Sequence, residues 1–410
     1  MDSQEEYKSI APRGLVSSAA NCLTGPRCSS CEGRNHTLIA NVLQPTRSAE
    51  ADGTDHAILP TIAILEASFR DLHETAHTVE AHRDRQKQYQ LAMRNLSFAI
   101  TSPDGSPNSA RSAWMFAMYE MMVNLDAEDE TWIVHLDGFL ALLRSQGPTE
   151  SVADTSILSH AVEFLERGND VHLLPDQLTF DGPGTALLLM DIAKLRLKNL
   201  TSEMRKLNTP RKLDIQKLRT SLTQIHRDIL LIPSMLPTSA CDSNNPNLNE
   251  YRAIMIVTAS LLSESGIFLE SKQPYRATRE CEKLSRTIQD AVDGIYADSA
   301  HHFPAKQSRD DNGKSSRPCG MTMTEALCMM WCCFAASVAW GIDAAQRQKI
   351  QAVLWRIGGE MRVPKAMSLA TTKAYDRRYS DVVAGLTLVS VPVRADTGWS
   401  STPVRRTGCH

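Results

Sequence analysis

Along most of this chain, apolar residues recur at alternating steps of three and four. Ile62, Leu65, Phe69, Leu72, Ala76 and Val79 are the clearest run. An α-helix turns every ~3.6 residues, so this spacing lines one helical face with apolar side chains and leaves the other wet. A half-buried strand would alternate by two instead. The same rhythm returns in Tyr89, Ala92, Met93, Leu96 and Ile100, in Ala113, Trp114, Ala117, Met118 and Met121, and in Trp132, Leu136, Phe139, Leu140 and Leu143. Pro103-Asp104-Gly105-Ser106-Pro107 separates the first two of these three runs with turn chemistry. Ser109 stands where a helix cap belongs, and Gly147-Pro148 is a stop. No strand–helix–strand alternation or short repeat appears. The pattern predicts an all-α protein, an irregular multi-helix bundle of about ten helices.

Further helices are expected near 155–167, over 185–232 with a break at Pro210, over 248–270 and 275–296, and near 322–342, 344–362 and 364–376. Residues 168–184 and 233–246 read as loops, and 298–320 as a polar, mobile stretch. Residues 1–55 are rich in Ser, Ala, Gly, Pro and Thr without a sustained period, and read as a disordered N-terminal segment. The helical domain is expected over 56–387, with a disordered tail over 388–410.

Bulk properties narrow the function classes. The 410 residues are 42% apolar and only 6% aromatic, which favours a large helical core over a sheet. The net charge of -3 argues that gripping phosphates is not the main business of the chain. Ten cysteines show no disulfide framework, so reduced thiols in cytosol or nucleus are expected. The start, Met1-Asp2-Ser3-Gln4-Glu5-Glu6, is acidic and carries no secretory signal. The uncharged stretch Ala326–Ile342 is short for a membrane span and reads as a buried core helix. No membrane partner is expected.

Several clusters have the residue types that chemistry needs. His73-Glu74-Thr75-Ala76-His77 would put two imidazoles one helical turn apart on one zinc ion, with Glu74 polarising a bound water. Against it, charged Arg70 and Asp71 sit beside the motif, and His82 and Glu80 fail to complete its extended form. Cys22, Cys28, Cys31 and His36 offer four ligands for one tetrahedral zinc, in a non-standard spacing. Cys328, Cys332 and Cys333 lie in an apolar run and read as small buried hydrophobes. Trp132, His135 and Gly138 read as a helix junction, with Gly138 permitting close approach. Arg196, Lys198, Arg205, Lys206, Arg211, Lys212, Lys217 and Arg219 read as a solvated helix face rather than a nucleic-acid surface. Gly182-Pro183-Gly184 lacks the lysine and strand of a phosphate loop. The residues assign no catalytic group, no cofactor and no metal ligand.

Two segments resemble a known family. Tyr119 and Glu120 end one helix, and a loop follows. Trp132, His135 and Gly138 then lead into Leu142, Leu143 and Gly147. Farther on, Ile350, Leu354, Ile357 and Gly358 precede Met361 and then Ala366, Leu369 and Ala370. Over about 58–376 this order resembles the regulatory, middle-homology domain of fungal zinc-cluster transcription factors. In that family a six-cysteine module reads DNA and the helical domain regulates, dimerises or receives signals. Here only Cys28 and Cys31 match the start of that module, and Leu38 occupies the next cysteine position. Two zinc ions cannot be held that way, which argues against direct DNA binding.

The resemblance implies a non-enzymatic regulator of fungal gene transcription, such as one controlling a secondary-metabolite biosynthetic gene cluster. It would work in the nucleus, with a cytoplasmic pool, through transcription-related proteins or as a homodimer. A zinc-dependent hydrolase using residues 73–77 and a non-nuclear helical scaffold are the alternatives.

Overall fold

The computed structural model describes residues 79–101, 109–123, 130–146, 156–166, 182–206, 212–236, 246–268, 274–303, 323–372 and 379–396. Among these residues there is no strand, and twelve α-helices are present. They are α1 (Val79–Thr101), α2 (Ser109–Val123), α3 (Thr131–Gln146), α4 (Ser156–Glu166), α5 (Gly182–Lys206) and α6 (Lys212–Ile229). After a short 3-10 turn at Ile232–Ser234 come α7 (Pro246–Phe268), α8 (Pro274–His302), α9 (Met323–Ser337), α10 (Ala344–Glu360), α11 (Pro364–Ala370) and α12 (Tyr379–Asp396). The all-α expectation holds.

Three helices make the centre. α9 is apolar around its whole circumference, and every residue from Ala326 to Ala339 is buried. A helix without a wet face has to sit inside the bundle. α7 and α12 pack against it, and α8, α10 and α11 close its remaining sides. α2 and α3 pair on one flank, α4 to α6 on another, and α1 lies against α2 at the edge. No described helix is long and apolar enough to cross a membrane.

Local chemistry explains the helix ends around the centre. Asp343 caps α10, its carboxylate accepting from the Gln346 N–H at 2.7 Å. Pro364 opens α11, where its missing N–H is not needed. Gly341 takes φ 78° in the turn after α9. Arg362 takes φ 55° in the turn joining α10 to α11, a conformation that usually selects glycine.

Four expectations need correction. α12 is a helix beyond the last one expected, which ended near 376, and it runs to Asp396, past the domain boundary expected at 387, with Leu388, Val389 and Ser390 buried. Gly385 and Pro392 lower its helix propensity, but burial against α9 overrides them. α8 runs on to His302, into the stretch expected to be mobile. Gly182-Pro183-Gly184 forms the first turn of α5 instead of preceding it. Ser109 is the first residue of α2, and its hydroxyl has no hydrogen-bond partner among the described residues, so the expected cap is not made.

Candidate functional site

The first motif segment builds a junction of three helices. His135 on α3 stacks on Phe116 of α2, with ring centres 5.5 Å apart. Tyr89 of α1 meets Phe116 edge-on at 5.3 Å and Tyr119 at 5.5 Å. The Tyr89 hydroxyl lies 3.2 Å from His135 Nε2. Burial holds the His135 pKa below its ordinary value, so the ring is neutral at neutral pH. Its Nε2 then accepts from Tyr89 when the other nitrogen carries the proton. Trp132, one turn before His135, is buried, with its ring 5.4 Å from that of Trp331 on α9. Its role is packing, as the sequence suggests.

Gly138 does not play the part its position suggested. It is exposed, and a Cβ built there meets nothing within 4 Å. Close approach is needed elsewhere. A Cβ at Gly385 of α12 would enter the Trp331 ring, and one at Gly358 of α10 would enter the Met367 side chain of α11. Gly358 belongs to the second motif segment, whose Ile350, Leu354, Ile357, Met361, Ala366, Leu369 and Ala370 are all buried. The two motif segments touch, because α11 packs on α2.

Trp331 organises the space between the segments. Its indole N–H points to Met121 Sδ at 3.4 Å, and Phe334 stands edge-on to it at 6.0 Å. The Trp114 indole N–H donates to the Leu388 carbonyl at 2.9 Å, tying α2 to α12.

A buried charge cluster was missed by the sequence reading. Lys194 on α5 is fully buried between Asp191, at 2.8 Å, and Glu250 of α7. Glu250 Oε2 has no hydrogen-bond partner among the described residues. The signal was legible: Asp191 and Lys194 interrupt the apolar run Leu187–Leu197 at a spacing of one helical turn. Such a cluster ties two helices together, and its net worth lies in its mutual pairing.

The cysteines at 328, 332 and 333 are buried, as their apolar run suggests. Burial pushes the Cys333 thiol up to about 12 and raises Cys332 well above its usual range. Neither is a thiolate at neutral pH, the form that attacks or binds metal. In the basic stretch, Arg196 pairs with Asp228 at 2.9 Å, Lys198 with Asp137, and Arg219 with Glu280 at 2.9 Å. Those cations are already answered by carboxylates within the fold. Among the described residues, no three His, Cys, Asp or Glu side chains converge as metal ligands would. His73, His77, Cys22, Cys28, Cys31 and His36 lie outside the described residues.

Compared with known protein families, curated proteins and solved structures, the chain matches none. What it does therefore has to be argued from its own residues.

Proposed function

We propose that this chain regulates transcription in a fungus, acting through protein partners or as a homodimer and not through a DNA-reading module of its own. One observation carries the reading. The two segments that resemble the regulatory domain of zinc-cluster factors, over 200 positions apart in sequence, pack in one helical bundle through α2 and α11. The pairing of Arg196, Lys198 and Arg219 with carboxylates also supports work through protein surfaces over phosphate binding. The place of action is the nucleus, and gene clusters for secondary metabolism are the proposed targets. No bond-breaking step belongs to this reading.

Deletion of the gene tests it. Transcripts of a defined set of genes should change several-fold, with tagged full-length protein in nuclei. Unchanged transcripts would count against the proposal, and stable cytosolic partners would favour a scaffold. A bound zinc in purified full-length protein, lost in His73→Ala, would favour a hydrolase instead.

A further inference from the structure

The start of α2 is buried on every side. Ser109, Ala110, Arg111, Ser112 and Ala113 are each at most 7% exposed. A helix begins with N–H groups that none of its own carbonyls can reach, and its aligned peptide dipoles leave about half a positive charge at that end. An Asp or Glu in the first turn usually answers that charge. α2 has no acid there and carries Arg111 instead. The cation and the dipole therefore share one sign, in a place where little water screens them.

Two more groups at this end lack an answer. The hydroxyls of Ser109 and Ser112 are buried and have no hydrogen-bond partner among the described residues. The two residues stand three positions apart, about 60° from one another around the axis, so they share a side of the helix. Side chains on a helix lean toward its N-terminus, so both hydroxyls tilt toward the end where the free N–H groups point. Arg111 lies on a different side of the turn and adds charge without a direct contact. Two buried donors beside unanswered N–H groups and a positive charge need an acceptor that is negative.

We propose that the buried start of α2 binds the oxyanion group of a small ligand, a phosphate or a carboxylate. Ser109 Oγ, Ser112 Oγ and the first-turn N–H groups donate to it, and Arg111 raises the local positive potential. Oxyanions suit helix N-termini for this reason. A cationic ligand would meet like charge, and an apolar one would leave the hydroxyls unpaired. The site goes beyond any role in transcription and does not depend on it. Because α2 packs on α3 and α11 and is tied to α12 through Trp114, an ion held at its start stabilises that junction.

Phosphorus NMR on the full chain tests the site, with inorganic phosphate titrated into a low-salt chloride buffer. The phosphate signal should broaden saturably, with a dissociation constant of about 1 mM or below. Ser109→Ala combined with Ser112→Ala should raise that constant at least about tenfold, since each lost donor served a charged acceptor. Without phosphate, the same double variant should unfold at an unchanged or higher temperature, because it removes two hydroxyls that are unpaired in the free protein. Phosphate should also slow amide exchange in the first turn of α2 while the ends of α7 and α8 exchange as before. Carbon-13 acetate, titrated in the same way, separates the two oxyanion classes, and the tighter ion names the ligand group. No saturable binding of either ion up to about 10 mM would overturn the proposal. So would binding unchanged in the alanine variant, which places the ion elsewhere. A clear loss of stability in that variant without phosphate would show hydroxyls already paired, and would overturn it too.

Discussion

α9 and α1 are both regular helices with apolar residues on more than one side, yet one is the centre of the molecule and the other its edge. α9 has neighbours all round: α7, α12, α8, α10 and α11. α1 packs on α2 along one side and is pinned to α3 by the Tyr89–His135 hydrogen bond. Composition explains the difference. From Ala326 to Ile342 α9 and its following turn carry no charge, whereas on α1 Arg83, Lys87 and Arg94 share a face with Leu91 and Phe98. A charged residue once per turn keeps a helix at the surface even when its apolar content is high, because an unpaired buried charge costs more than the apolar burial returns.

Substitutions at the centre and at the edge should differ in their cost. Trp331→Ala should show the largest loss, about 3–5 kcal/mol by chemical denaturation, since the ring is fully buried against α2, α3 and α12. Lys194→Met should cost about 3–5 kcal/mol, by leaving Asp191 and Glu250 buried without their cation. A loss near zero there would show that the cluster is not held as described. Gly385→Ala should cost about 1–3 kcal/mol because its methyl group would enter the Trp331 ring.

Acid should act at the edge first. The His135 pKa is lowered in the folded protein, so below its ordinary value of 6.5 the unfolded chain takes up the proton more readily. Its contribution is therefore complete above that pH and lost as pH falls through 6.5 toward the folded value. Exchange protection of α1 should drop on going from pH 7 to 5 while that of α9 holds. Equal loss in both helices would show that the His135 junction does not govern the edge. Gly138→Ala should give the smallest change, a stabilisation of about 0.5–1 kcal/mol, because the added methyl group meets nothing and the helix gains propensity.

What the sequence made legible was periodic. Leu136, Phe139, Leu140 and Leu143 could be placed inside because spacing alone decides which helical face is buried. α12 could not be placed, because Gly385 and Pro392 weaken the local signal and its close partner, Trp331, lies far along the chain. Gly138 and Gly385 show the same limit from the other side. Both are glycines within helices, and only the position of a neighbour far along the chain separates the open one from the crowded one. Lys194 was passed over for a similar reason. A lysine in an apolar run is buried only if a carboxylate reaches it, and Glu250 comes from another helix.

As proposed, this helical module changes transcription through its surfaces without reading DNA itself. The most direct measurement tethers the full chain to a promoter, by fusing it to an unrelated DNA-binding domain in fungal cells carrying that domain's reporter. Reporter transcript several-fold above or below the level given by the DNA-binding domain alone is the expected result. Transcript equal to that of the DNA-binding domain alone, with the fusion folded and nuclear, would contradict it.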